Sequence, residues 1–207
     1  MADQSDQSAA VRAALRREKI AARLALPAEQ HGTLSERILD RLSQLLQPRP
    51  PGTIAFCWPV RAEVDCRTLV ADLITAGWQA AMPTVTTLNA PMQYRLWNPV
   101  AHMTTDPYGI PVPQTEQCVT PDVLLLPLVA CDPNGYRLGY GGGYFDRTLA
   151  ANVPHPLAIG VGFEFAIVPS IFPEPHDIPL DIIVTEAMVR LVRPVDAAPA
   201  PQHQARQ

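Results

Sequence analysis

The chain has 207 residues, 47% hydrophobic and 17% charged, which supports a substantial core and one domain, or one domain with a modest subdivision. A formal net charge of −4 excludes a global electrostatic pull toward nucleic acid or an anionic membrane, so an anionic ligand has to be met by local charge. No apolar stretch approaches the roughly 18 residues of a spanning helix. The polar opening MADQSDQSAAVRAALRREK lacks the apolar segment of a secretory signal, so a cytoplasmic protein is expected. Its four cysteines (Cys57, Cys66, Cys118, Cys131) show no CxxC spacing and no ligand pattern with the five histidines, and Cys57 and Cys131 read as inert thiols in or beside apolar runs.

Residues 1–8 are polar and aperiodic and are expected to be disordered. From Val11 to about Leu26 the spacing predicts a helix with Val11, Leu15, Ile20 and Leu24 inward and Arg12, Arg16, Arg17, Lys19 and Arg23 on much of the remainder. Pro27 ends it. Leu34–Leu46 reads as a second helix with Leu34, Ile38, Leu42 and Leu45 inward, closed by the prolines of 48–51. The run TIAFCW (53–58) predicts a buried strand. Asp65 is placed to cap a helix through Ala76, with Gly77 at its C-terminal end. Strands are expected over 79–85 and 94–97, and 99–121, rich in proline and polar residues, reads as an extended excursion. DVLLLPLVA (122–130), the most apolar run, predicts the central strand. Residues 144–152 predict a helix, and 157–163 and 181–184 the last strands. The tail from Pro194, made of Pro, Ala, Gln and Asp, is expected to be disordered, leaving 9–193 as one domain. Strands of continuous apolar residues alternating with helices predict an α/β fold with a mostly parallel sheet covered on both faces.

In such sheets ligands collect beyond the carboxyl ends of the strands, and beyond the central strand lies RLGYGGGYFDR (137–147), with four of the chain's 11 glycines. Gly141–Gly143 can curl so that several N–H groups face one anion, with Tyr144 opening a helix whose N-terminal dipole adds to the field. Arg137 offers a bidentate guanidinium, and Asp146 suits a hard cation bridging phosphates. The same cluster equally describes a tight turn, with Asp146 favouring a helix N-terminus. It is neither GxxxxGK[ST] nor GxGxxG.

The stretch LPLVACDPNGYRLGYGGGYFDRTLA closely resembles the signature of the 5-formyltetrahydrofolate cyclo-ligase family, also called methenyltetrahydrofolate synthetase. The match covers Asp132, Gly135, Arg137, Leu138, Gly139, Gly141, Gly143, Tyr144, Asp146 and Arg147, with Phe145 at a position usually tyrosine and Cys131 where phenylalanine is common. Further elements follow in order. Arg12 with Leu15-Arg16 is similar to the family's basic opening, Glu63-Val64-Asp65 to its Glu-Val-Asp element, Gly109-Ile110-Pro111 to a Gly-Ile-x-x-Pro piece, and His176-Asp177 through Val184-Thr185 to its closing element.

The resemblance implies a three-layer, NagB/RpiA/CoA-transferase-like fold and an ATP- and Mg2+-dependent ring closure of 5-formyltetrahydrofolate to 5,10-methenyltetrahydrofolate. It implies that Arg12, Arg16, Arg137, Leu138, Gly139, Tyr140, Gly141, Gly142, Gly143 and Tyr144 form the nucleotide site. Arg137 and Asp146 would act in catalysis, and Asp146 and Asp177 would hold Mg2+. Glu63 would meet the pterin, with Phe56, Trp58, Tyr140 and Tyr144 as an aromatic surface for it. A monomer that binds a reduced folate is expected, with no nucleic-acid or membrane partner. Departures are Arg12 for a usual lysine, Ala166 for a usual glutamine, and Trp78, read as a surface change, for another lysine. The alternatives are a related ATP-dependent enzyme acting on another folate or N-acyl compound, and a non-catalytic reduced-folate-binding protein.

Overall fold

A computed structural model describes residues 2–194. The expected tail disorder lies outside these residues, apart from Pro194 itself. Two helices open the chain, α1 (Ala2–Leu24) and α2 (Ala28–Leu46). They are followed by β1 (Thr53–Phe56), α3 (Arg67–Thr75), β2 (Gln79–Thr84) and β3 (Gln93–Trp97). The excursion folds into a small hairpin, β4 (Met103–Thr105) and β5 (Pro111–Pro113). Then come β6 (Val123–Pro127), a second small hairpin of β7 (Ala130–Cys131) and β8 (Arg137–Leu138), α4 (Tyr144–Ala151), β9 (Leu157–Val161), β10 (Ile182–Val184) and β11 (Val189–Leu191).

Seven strands form the main sheet in the order β11-β10-β9-β6-β1-β2-β3. The five inner strands are parallel, and β3 and β11 close the edges antiparallel. The most apolar segment, β6, stands in the middle, as expected. Strand side chains alternate between faces, and both sets are buried. Ile54, Phe56, Val123, Leu125, Ile159 and Val161 meet Ile38, Leu42 and Leu46 of α2 and Leu69, Val70 and Leu73 of α3. Ala55, Leu124, Leu126, Ala158 and Ile183 lie on the other face with Leu149 of α4. Burial on both faces explains why these strands read as unbroken apolar runs rather than alternating ones.

Several expectations are corrected. Helix α1 begins at Ala2, not near Val11, so residues 2–8, expected to be disordered, are helical, while Met1 lies outside the described residues; once the later turns exist, each added residue closes a hydrogen bond without a new nucleation step. Helix α2 starts directly after Pro27, and Leu46 rather than Leu45 is its fully buried end. Trp78 is 6% exposed and belongs to the core, not the surface. The glycine loop does not leave the central strand directly, because the β7–β8 hairpin intervenes and puts Arg137 in a strand. Beyond the last expected strand, β11 adds an edge.

The largest correction concerns α1. Arg12 and Arg23 are its buried residues, 8% and 4% exposed, whereas Leu24 is 57% exposed. The helix lies with its basic stripe toward the protein. At 100° per residue, Arg12, Arg16 and Arg23 share one face. A buried guanidinium is tolerated only where every donor finds an acceptor, and these find carboxylates, carbonyls and a tyrosine hydroxyl, so the polar pairing overrides the weak apolar period. Of the four apolar residues expected inward, Leu15 packs beside them, against Ala130, Leu138, Val168 and Ile171. Two substitutions check this inversion by urea denaturation. Leu42→Ala, at a fully buried α2 position, is expected to cost about 2–5 kcal/mol, and Leu24→Ser to stay within about 0.5 kcal/mol of the parent.

Candidate active site

The loops after β1, β6, β9 and β10 gather at the carboxyl end of the parallel sheet, and α1 is tied across them by its arginines. After β1 the chain makes a turn in which two consecutive non-glycine residues, Arg61 (φ 49°) and Ala62 (φ 59°), take the left-handed conformation. Such residues cost on the order of 1–3 kcal/mol each and persist only where the surroundings hold them. The next residue, Glu63, is 6% exposed. Its Oε2 accepts the Val60 N–H (3.1 Å), and its Oε1 accepts the Tyr140 hydroxyl (2.6 Å) from the glycine loop. Burial pushes the Glu63 carboxyl above its ordinary range, and the Tyr140 and Val60 hydrogen bonds with the Arg23 and Arg61 charges oppose that rise.

The glycine loop runs from β8 into α4. Gly141 (φ 98°) and Gly143 (φ 62°) adopt left-handed conformations that glycine alone takes without strain, and Gly143 caps α4. A side chain on Gly142 would meet the Tyr144 ring at 2.8 Å. Arg147 donates to the Gly142 carbonyl and lies over the Tyr144 ring, whose hydroxyl hydrogen-bonds that of Tyr108 at 2.6 Å. Asp146 stands in the first turn of α4. Its Oδ1 accepts from Arg137 (3.1 Å) and from the Ile178 N–H (3.1 Å), and no hydrogen bond to Oδ2 occurs among the described residues. Arg137 is 6% exposed and also donates to the Ile178 carbonyl at 2.6 Å. Burial pulls its guanidinium below the ordinary value, with the Asp146 charge opposing. Leu138 is fully buried.

Helix α1 supplies the other cations. Arg12 grips Asp177 with two hydrogen bonds (2.6 and 3.2 Å) and donates to the Phe172 carbonyl. Burial alone would raise the Asp177 carboxyl, but the Arg12 hydrogen bonds, the Glu174 N–H and the Arg12 charge together hold it below its usual range. Arg16 is different. Its Nε donates to the Gly139 carbonyl (2.9 Å), and no carboxylate is paired with it among the described residues. Burial, then the neighbouring Arg12 charge, pulls its guanidinium below the ordinary value, while its Cζ lies 3.8 Å from where a Gly141 Cβ would stand. Arg23 donates to the carbonyls of Arg61 and Leu128 (2.9 Å each) and to the Tyr140 hydroxyl (2.8 Å), with Glu63 3.7 Å away.

The fold thus brings Arg12, Arg16, Arg137, Glu63, Asp146, Asp177 and the glycine loop to one end of the sheet. It does not assemble the four expected aromatics into one surface. Phe56 is 1% exposed and packs edge-on against Trp97, so the expectation that it meets a ligand is corrected: it is core. Trp58 lies under Arg67, Tyr140 under Arg61 and Tyr144 under Arg147. Ala166 is buried in a short 3-10 turn after β9. Burial pushes the Cys57 thiol up, and the Cys66 and Cys131 thiols up to about 12. Arg23, Arg61, Tyr108 and Arg147 escaped assignment. The signal for Arg23 is its place on the Arg12/Arg16 stripe; nothing in the sequence marks the left-handed turn.

A groove of about 430 Å3 runs along α1, lined by Arg16, Arg17, Ile20, Leu24, Arg61 and Tyr140. It joins apolar helix face, unpaired guanidinium and glycine loop, a combination suited to a flat heterocycle carrying an anion. A second crevice of about 420 Å3 opens near Trp78, Trp97 and His102, and its lining includes none of the site residues above. Among the described residues there is no group of three or more His, Cys, Asp or Glu side chains able to hold a metal ion. Asp146 Oδ2 carries no hydrogen bond among the described residues and is open to a hard cation such as Mg2+, which is commonly held by one or two carboxylates and by the substrate's phosphates. No helix is long and apolar enough to cross a membrane among the described residues.

Truncating one partner of the buried Arg12–Asp177 pair leaves the other charge uncompensated. Arg12→Ala is expected to lose about 3 kcal/mol of stability. Arg12→Lys, which keeps the charge but forfeits the fork, is expected to lose about 1 kcal/mol. Urea denaturation of the two variants separates these values.

Comparison with known proteins adds to this geometry. The family model described as the 5-formyltetrahydrofolate cyclo-ligase family matches residues 8–186. The 5-formyltetrahydrofolate cyclo-ligase of Escherichia coli K12 is 30% identical over 175 residues, covering 81% of this chain and 96% of that protein. The NMR structure of Aquifex aeolicus 5,10-methenyltetrahydrofolate synthetase superposes with a TM-score of 0.78 at 27% identity, covering 94% of this chain and 99% of the other. The 5,10-methenyltetrahydrofolate synthetase structure from Mycoplasma pneumoniae has a TM-score of 0.69 at 25% identity, with 84% and 98% covered.

Proposed function

From the premise that this chain belongs to the 5-formyltetrahydrofolate cyclo-ligase family, we propose that it is an ATP-dependent ligase that closes 5-formyltetrahydrofolate to 5,10-methenyltetrahydrofolate, releasing ADP and phosphate. The observation that carries the reading is Arg16: a half-buried cation whose guanidinium is held by the Gly139 carbonyl, with no carboxylate partner among the described residues, set against a loop with left-handed glycines.

The chemistry has one difficulty. When N10 attacks the N5-formyl carbon, the formyl oxygen is a very poor leaving group. Transfer of the ATP γ-phosphoryl group to that oxygen creates an activated iminium phosphate and ADP; N10 then adds to its carbon and gives up its proton to solvent, and the C–O bond breaks as phosphate departs. Such a transfer needs positioning and charge stabilisation more than covalent help from the protein.

The residues divide accordingly. Arg16 and the backbone of Gly139–Gly143 bind phosphate oxygens, and Tyr140 and Tyr144 flank that loop. Arg12 joins Arg16 once the Arg12–Asp177 pair opens, which also frees the Asp177 carboxylate. Arg137, buried behind Asp146, fixes that carboxylate by one oxygen and leaves the other outward. Mg2+, held by Asp146 and Asp177, would neutralise charge on the β- and γ-phosphates. Glu63 retains a lone pair on each oxygen and accepts the pterin's N–H edge, while Trp58 and the Tyr140 and Tyr144 rings offer apolar contact. Residues 9–193 act as one catalytic domain.

Purified protein given 5-formyltetrahydrofolate, Mg2+ and ATP is expected to develop methenyl absorbance in the near ultraviolet; no absorbance under these conditions refutes the assignment. Asp146→Asn is expected to raise the Mg2+ concentration needed for half-maximal rate by at least about 10-fold, and an unchanged Mg2+ profile removes Asp146 from the metal site. Gly142→Val, which drives a side chain into the Tyr144 ring, is expected to weaken ATP binding measured calorimetrically, whereas normal affinity reduces the loop to a turn.

A further inference from the structure

One buried residue is used by none of the steps above and yet touches three parts of the site. Arg23 is 4% exposed. Its guanidinium reaches the strained turn after β1 (Arg61 carbonyl), the segment after β6 (Leu128 carbonyl) and the glycine loop (Tyr140 hydroxyl). Tyr140 passes the contact on, its hydroxyl donating to Glu63 Oε1 at 2.6 Å. The two left-handed residues before Glu63 have both carbonyls engaged, Arg61 by Arg23 Nε and Ala62 by His31 Nε2 at 2.9 Å. Two strained residues of this kind, held from outside and adjacent to a buried carboxylate, mark a device that aims a side chain.

We propose that Arg23 is a positioning residue of this site, acting with Tyr140 to hold the strained Arg61–Ala62 turn and to orient the Glu63 carboxylate toward a ligand's paired N–H donors. Arginine is required because its planar fork serves three acceptors at fixed angles; a lysine ammonium at the same place supplies charge without that geometry. Tyr140 fixes one Glu63 oxygen and Val60 N–H the other, leaving one lone pair on each in the carboxylate plane. The proposal rests on the reading of Glu63 as the pterin-binding carboxylate.

A purely structural role and an orienting one differ in their pH dependence. Glu63 is faced by Arg23 from α1, by Arg61 from its own turn, by Tyr140 from the glycine loop, and by Cys57 and Cys66 on either side of that turn, with His31 of α2 at the Ala62 carbonyl. Burial raises the Glu63 carboxyl, and the Tyr140 hydrogen bond is the foremost influence lowering it. Removing that hydroxyl lets the carboxyl rise further. Ligand binding, which needs the ionised form, then fails at a higher pH as the solution is acidified.

The test measures 5-formyltetrahydrofolate binding to the full chain by tryptophan fluorescence across pH, with ATP binding measured separately. Arg23→Lys is expected to weaken folate binding at least tenfold and to change ATP affinity by less than twofold. Tyr140→Phe, at a residue exposed enough to leave folding intact, is expected to weaken folate binding severalfold and to move its acid limb to higher pH. Glu63→Gln is expected to abolish the acid limb and most of the affinity. If Glu63→Gln loses affinity while the other two variants bind with parental strength and pH profile, the positioning role is overturned and the reading of Glu63 stands. Tighter binding by Tyr140→Phe also overturns it, since Tyr140 would then compete with the ligand. Unchanged folate affinity in Glu63→Gln overturns both readings.

Discussion

The arrangement depends on buried guanidinium groups that have to be satisfied. An arginine carries five N–H donors and stays protonated in any protein environment. Placing Arg12 and Arg23 out of water therefore obliges the chain to bring acceptors to them, and those acceptors come from every loop that matters. Asp177 and the Phe172 carbonyl meet Arg12, while the Leu128 and Arg61 carbonyls and the Tyr140 hydroxyl meet Arg23. The sheet gives the molecule its core, but the basic stripe of α1 decides where the loops beyond the sheet stand relative to one another.

Against that fixed frame the site balances charge. Arg12 with Asp177 and Arg137 with Asp146 are matched pairs, while Arg16 has only a carbonyl. Arg17 and Arg61 line the groove beside Arg16, so its local charge is positive next to glycines whose backbone can approach closely, a combination suited to an anion. This is consistent with an overall charge of −4: the local field, not the global one, selects the ligand.

What was legible in the sequence follows the physics that made each feature. Strands β1, β6, β9 and β10 were readable because both faces are buried, which leaves long apolar runs, and β6 announced its central place by being the most apolar. The glycine loop was readable because closely spaced glycines are costly without a backbone reason, two of which the fold supplies at Gly141 and Gly143. Strands β7, β8 and β11 were not, because each is two or three residues long, too short to carry a periodic pattern, even though their hairpin partners lie close in sequence. The orientation of α1 was misread because its apolar spacing is weak and its arginines look like a solvated face until their acceptors are known. Phe56 shows the same limit: an aromatic at a strand's carboxyl end suits a ligand or a core equally well, and only the position of Trp97 decides.

The Arg12–Asp177 contact spans 165 positions of the chain. Closing so long a loop is entropically costly, and proteins dominated by such long-range contacts fold more slowly. Arg12 sits on α1, its partner Asp177 stands in the segment before β10, and the acceptors of Arg23 lie between them. A stretch that lacks either α1 or the segment before β10 cannot form the pair, so the two segments depend on each other across most of the described fold.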